Sequence, residues 1–169
     1  IAQVARYSLQ ASTKPGEHKS ISLEDGSTLW LNTNSQVNIA FTETSRTIEL
    51  LRGELHIEVA KDKKRPLNVL AAGKAIQAIG TAFNVQYHRG DLELVVTEGV
   101  VEVASYTFTQ TDANRLLAPV IKSTNNAMTL VEGQKSVLSL PNSTVEPISL
   151  QDIANDLSWR EGKIIFRGE

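Results

Sequence analysis

At 169 residues, 41% of them hydrophobic, the chain is long enough to bury the core of one ordinary domain. Lys and Arg number 17 against 19 Asp and Glu, a net charge of −2, which removes the electrostatic case for nucleic acid or an anionic membrane surface. Cysteine is absent, so disulfides, thiolate metal sites and thiol catalysis are excluded while the compartment stays open.

The chain opens in mid-pattern at "IAQVARYSLQ", which points to a further segment upstream; no run reaches the apolar length of a membrane span and no signal peptide is present. From there period-two alternation dominates. In "SISLEDGSTLWLN" the runs Ile21, Leu23 and Leu29, Leu31 flank Asp25-Gly26, which predicts a hairpin with a type I′ turn. Trp30, out of phase with its neighbours, belongs to the other face of its strand and is expected to be covered. Val37, Ile39 and Phe41 mark the next strand; Ile48 and Leu50 another; Leu55, Ile57 and Val59 follow Gly53. The basic run "KDKKRP" at 61–66 reads as a solvated turn before a strand holding Leu67 and Val69.

In "QAIGTAFNVQYHRGD", residues 77–91, Ile79, Phe83, Val85 and Tyr87 read as a strand that Gly80-Thr81 interrupts. Leu92, Leu94 and Val96, then Val101 and Val103 beyond Gly99, continue the pattern to roughly a dozen short strands. "LLRGELHIEV", "VVTEGVVEV" and "LVEGQKSVL" repeat one arrangement around Gly53, Gly99 and Gly133, but their spacings, 46 and 34 residues, fix no solenoid period. Residues 109–127 read as a long polar surface loop. Ser149 caps a short helix built on Leu150, Ile153, Ala154 and Leu157, with Asp152 at its third position, and "WREGKIIFRGE" reads as a further strand. The expected fold is all-β, an irregular β-helix or a two-sheet sandwich, with one short C-terminal helix. It divides into residues 1–148 and a short helix with the first strand of a truncated second domain at 149–169.

Chemical signals are sparse. His18, His56 and His88 lack metal-ligand spacing, and His56 alternates with Leu55 and Ile57 as a surface histidine would. Glu54, Glu58, Glu98 and Glu102 fall on polar strand faces, and Asn142-Ser143-Thr144 is a short sequon of the kind chance supplies. No metal or cofactor is called for. At Gly80-Thr81 the bland account is a strand defect. The chemical one has the Thr81 hydroxyl attack the Gly80 carbonyl and move the acyl group from nitrogen to oxygen. A glycine leaves that attack unblocked and admits a strained peptide, while His88, Asn84 and Glu98 stand as unselected helpers.

Taken in order, "GEHKSISLEDGSTLWLNTNSQVNI", "RTIELLRGELHIEVAKDKKRPLNV", "AIGTAFNV", "LELVVTEGVVEV", "LVEGQKSVL" and "WREGKIIFRGE" resemble the periplasmic domain of the FecR family of transmembrane sigma-factor regulators. The resemblance implies an inner-membrane protein of a Gram-negative bacterium. An anti-sigma segment in the cytoplasm and a membrane helix would lie upstream. The periplasmic part would sense the signalling domain of a TonB-dependent outer-membrane transporter, commonly for iron siderophores, and control an extracytoplasmic-function sigma factor. It also implies self-cleavage at Gly80-Thr81, as some members perform, with the pieces staying associated. Two departures stand out: the small C-terminal signalling domain is represented only by its first strand, and the 109–127 connection is longer than the family's usual one. The reading is thus a sensor without turnover chemistry. The alternatives are a secreted β-sandwich binding carbohydrate or cell wall, which needs exposed aromatics, and a β-barrel enzyme with a histidine metal centre.

Overall fold

The computed structural model describes residues 5–109, 111–112, 114–122, 128–139 and 143–161. Within them the alternating runs become fourteen strands: β1 (Tyr7–Ser12), β2 (Lys19–Ser22), β3 (Thr28–Leu31), β4 (Gln36–Phe41), β5 (Arg46–Glu58), β6 (Leu67–Ala71), β7 (Lys74–Ala78), β8 (Ala82–His88), β9 (Asp91–Glu98), β10 (Val100–Phe108), β11 (Pro119–Lys122), β12 (Met128–Val131), β13 (Gln134–Val137) and β14 (Glu146–Pro147). One helix, α1 (Leu150–Leu157), follows them. The fold is all-β with a single short C-terminal helix, as its residues predict.

The strands form one open sheet that curls, and β5 belongs to both of its halves. The start of β5 pairs with β4 antiparallel and with β6 parallel, and its end pairs with β3 and β8. The first half therefore runs β1-β4-β5-β6-β7-β10, with β11 and β12 both on β10; the second runs β2-β3-β5-β8-β9-β13-β14. Their apolar faces share one core, in which Val37, Ile39, Phe41 and Ile48 of the first half meet Leu29, Leu55, Phe83 and Val85 of the second. Each such side chain, taken from water, contributes about 1.5–3 kcal/mol.

Chain passages between the halves explain the irregular glycine echo. Gly53 lies inside β5, Gly99 between β9 and β10, and Gly133 between β12 and β13, each where the chain changes halves. The two strands expected around Gly53 are thus one bent strand of thirteen residues. Only glycine fits that bend: φ is +95°, and a Cβ there would fall 2.1 Å from the Ser35 hydroxyl oxygen. Ser35 needs that closeness, because its Oγ accepts the Glu54 N–H at 2.8 Å and donates to the Glu54 carbonyl.

Several expectations are corrected. The Asp25-Gly26 hairpin exists, but three residues, Glu24, Asp25 and Gly26, span it, and only Gly26 has positive φ. It is a type I turn closed by a glycine bulge, not type I′. The two-residue turns with both φ values positive are Ala72-Gly73 and Arg89-Gly90. In the 61–66 run the lysines are exposed, but Arg65 is buried against Asp62, the Thr42 carbonyl and the Phe41 ring. The 109–127 segment is more than a loop. Leu116 closes a second apolar cluster with Ala40, Leu70 and Ala75, Arg115 bonds Glu49 at 2.5 Å, and β11 pairs with β10. Ser149 does cap α1, its Oγ accepting the Asp152 N–H at 3.0 Å. Beyond α1, Ser158–Glu161 form a 3₁₀ turn where a strand was expected, and the rest of that stretch lies outside the described residues, as does Asn142.

Candidate functional site

Gly80-Thr81 is a further passage between the halves. The chain leaves β7 at Ala78 and enters β8 at Ala82, so the pair is a link rather than a strand interior. Gly80 is exposed with φ +62°, under the side chain of Lys61. Thr81 turns inward and is only 4% exposed. Its carbonyl accepts the Val59 N–H at 2.7 Å, and Gly99 lies so close that a Cβ there would stand 2.7 Å from the Thr81 methyl carbon. The Thr81 hydroxyl is buried without a hydrogen-bond partner among the described residues. A buried hydroxyl without a partner costs free energy, roughly 1–3 kcal/mol, so the site holds an unengaged nucleophile beside a left-handed glycine.

The three helpers separate. His88 is exposed at the far end of β8, six residues past Ala82 and so about 20 Å along the strand. Asn84 directs its carboxamide to Glu54. Glu98 alone lies alongside the link, in register with Ala82, as Glu58 does from β5; both carboxylates are exposed.

A second polar cluster escaped sequence reasoning. Glu54 Oε1 accepts Asn32 Nδ2 at 2.9 Å, and Oε2 accepts Asn84 Nδ2 at 2.8 Å. Burial pushes the Glu54 carboxyl above its usual pKa range; the donors Asn32, Asn84 and the Trp159 indole oppose that shift, and Asp156 adds to it. Beside it His56, expected on the surface, is 1% exposed, with neither ring nitrogen hydrogen-bonded among the described residues. Desolvation, then the Arg160 charge, drives its pKa down to about 3. The cause is a covered outer face. Trp30, half-buried as the cross-strand neighbour of His56, lies with its ring centroid 5.6 Å away, and Arg160 sits over Trp30. Glu54 is likewise half-buried, whereas Glu58, Glu98 and Glu102 are exposed as expected. The available signal was the set of polar residues inside the apolar motifs: Asn32, Ser35, Glu54 and Asn84 all converge here.

A third cluster joins two motifs far apart in sequence. Arg46, fully buried, pairs with Asp25 at 2.6 Å, and Asp25 also holds the N–H and hydroxyl of Ser27.

The model of the family described as FecR protein matches residues 10–102, more than half of the chain, and takes in all three clusters up to β10. The chain belongs to the FecR family. Two crystal structures, each of a proposed anti-sigma factor from Parabacteroides distasonis ATCC 8503, share its fold, with TM-scores of 0.68 and 21% identity. They match 88% of this chain, which spans 63% and 64% of theirs. No curated protein matches. Among the described residues of this FecR domain, no helix is long and apolar enough to cross a membrane, and no three His, Asp or Glu side chains converge to hold a metal ion.

Proposed function

We propose that this domain is the periplasmic sensor of an anti-sigma regulator. It receives its signal by contact with the signalling domain of a TonB-dependent outer-membrane transporter, of the iron-siderophore kind, and passes it to a sigma factor through an upstream membrane helix and cytoplasmic segment. Residues 149–169 would begin the second domain through which that contact is made. Membership of the FecR family supports this, as does an exposed aliphatic row of Ile79, Val100 and Val131 beside the Gly80-Thr81 link. Val100 pairs with Val131, and Ile79 follows Ala78, the partner of Val101.

Within that reading, the domain cuts itself once at Gly80-Thr81. The Thr81 hydroxyl attacks the Gly80 carbonyl carbon, the C–N bond breaks, and the released nitrogen takes the hydroxyl proton. Water then hydrolyses the ester, leaving a Gly80 carboxylate and the Thr81 hydroxyl restored. The observation that carries this is the buried Thr81 hydroxyl, without a partner among the described residues, next to a glycine at φ +62°. The topology allows the pieces to stay together. β5 and β8 lie on opposite sides of the cut and pair from Gly53 to Glu58, and β7 pairs with β10 from Lys74 to Ala78. A bond cut in the link would let force or a new partner separate the halves without unfolding an intact chain.

Intact-mass measurement tests it. Wild-type protein should yield pieces 1–80 and 81–169, co-eluting until denatured, and Thr81→Ala only the full chain. Wild-type protein still uncut after long incubation would remove self-cleavage from the reading. Failure of Ile79→Asp or Val100→Asp to weaken capture of the transporter's signalling domain would remove the contact surface.

A further inference from the structure

Two of the passages between the halves are stacked on one another. Gly99, in the link from β9 to β10, lies against Thr81, in the link from β7 to β8. A Cβ on Gly99 would stand 2.7 Å from the Thr81 methyl carbon, 3.2 Å from the Thr81 Cβ and 3.4 Å from its Cα. The threonine methyl therefore rests on bare backbone, where φ of +81° would strain any other residue as well. The Thr81 main chain is also held. Its carbonyl accepts the Val59 N–H at 2.7 Å, and the next carbonyl, of Ala82, accepts the Thr97 hydroxyl at 3.0 Å.

Attack by the Thr81 hydroxyl on the Gly80 carbonyl closes a small ring of Oγ1, Cβ, Cα, the amide nitrogen and the carbonyl carbon. No other residue enters that ring, so the approach depends on the φ and χ1 of Thr81 itself. In the staggered well that sets Oγ1 opposite the nitrogen, the hydroxyl is out of reach. No hydrogen bond among the described residues orients this hydroxyl. The methyl shares its Cβ, so a methyl seated on Gly99 sets χ1 and with it the hydroxyl. We propose that Gly99 is a positioning residue for self-cleavage: through the Thr81 methyl it holds the nucleophile in one rotamer, and the site is thereby built for threonine rather than serine. The inference rests on the self-cleavage reading and leaves its covalent step unchanged. The O–C bond forms, the C–N bond breaks, and the hydroxyl proton passes to nitrogen.

The test follows the whole chain after cell-free synthesis, measuring by intact mass how fast the uncut form disappears. Thr81→Ser keeps the hydroxyl and frees its rotamer, and should cut about three- to tenfold more slowly. A serine hydroxyl is the less hindered nucleophile, so slower cutting would not come from its chemistry. Gly99→Ala should slow the threonine chain on the order of tenfold or more. In the Thr81→Ser background the same change should cost distinctly less, because no methyl is there to displace. A merely structural glycine predicts equal losses in both backgrounds, since the backbone strain is common to them. Wild-type chain that stays whole removes the self-cleavage reading and this inference with it. If wild type cuts, equal Gly99→Ala losses in the two backgrounds overturn this inference alone. So does a serine chain that cuts as fast as wild type, a result that stands even where Gly99→Ala fails to fold.

Discussion

Two charged side chains of β5, one on each side of its bend, are handled in opposite ways. Arg46, before the bend, has a carboxylate partner in Asp25 and gives further hydrogen bonds to the Arg65 carbonyl at 2.7 Å and the Ala60 carbonyl at 2.8 Å. Glu54, beyond it, is met by neutral amides from Asn32 and Asn84. The first arrangement neutralises its charge and ties the 23–27 turn to the 60–65 segment, two loops that no strand pairing joins. The second leaves negative potential facing a pocket. A buried charge set against a counter-charge is architecture; a carboxylate solvated only by amides is available to something else.

The largest effect should come from breaking the Arg46–Asp25 cluster. Arg46→Ala leaves the Asp25 carboxylate buried without its cation and frees two carbonyls, a loss of about 3–5 kcal/mol for a broken buried pair. That is a large part of the stability of an ordinary domain. Urea unfolding should show the midpoint of the variant lowered by a large fraction of the wild-type value, and a midpoint close to wild type would refute the architectural role. Arg46→Lys should rescue little, because one ammonium cannot copy the Nε and Nη1 bonds in their places.

What could be read beforehand follows from the range of the forces involved. Alternation is local, so strands such as β4 and β9 and the capped helix were legible from Val37, Ile39, Leu92, Leu94 and Ser149. Gly80-Thr81 was legible as an interruption. Whether it was a bulge or a passage depended on where β7 and β8 find their partners, which is non-local. His56 misled because alternation reports only which face a residue takes. Its face is covered by Trp30, Arg160 and the segment after α1, none of which is near it in sequence. Arg65 misled for a related reason: three exposed lysines, Lys61, Lys63 and Lys64, make a solvated run, and only the distant Phe41 and Thr42 show that one member is buried.

His56 gives the next effect. Its folded pKa, about 3, lies below the ordinary 6.5 because of desolvation first and Arg160 second. Between those values the unfolded chain takes up a proton that the folded chain refuses. Its contribution is therefore fully present above pH 6.5 and lost as pH falls toward 3. From pH 7.5 to 4.5 this one residue should remove about 2–3 kcal/mol. His56→Leu, which cannot titrate, should lose that much less over the same interval, whatever its cost at neutral pH. Parallel pH profiles for the two proteins would show that His56 is solvated after all.

The smallest effect belongs to Glu54→Gln. The raised pKa of Glu54 has the opposite sign: its contribution is present at low pH and is lost as pH rises through the folded value. The Gln variant never ionises, so it should gain on wild type as pH rises. At neutral pH the two should agree within about 1 kcal/mol. The hydrogen bonds say how. Asn32 cannot turn its amide without losing the Thr33 N–H that its Oδ1 accepts at 2.8 Å, so the Gln oxygen must stay on that side. The new Nε2 then faces Asn84, whose unpartnered Oδ1 can receive it after a half-turn of the carboxamide. The Asn84 side-chain amide signals should move while those of Asn32 hold. A cost like that of Arg46→Ala would show instead that Glu54 is architecture too, and would erase the contrast between the two ends of β5.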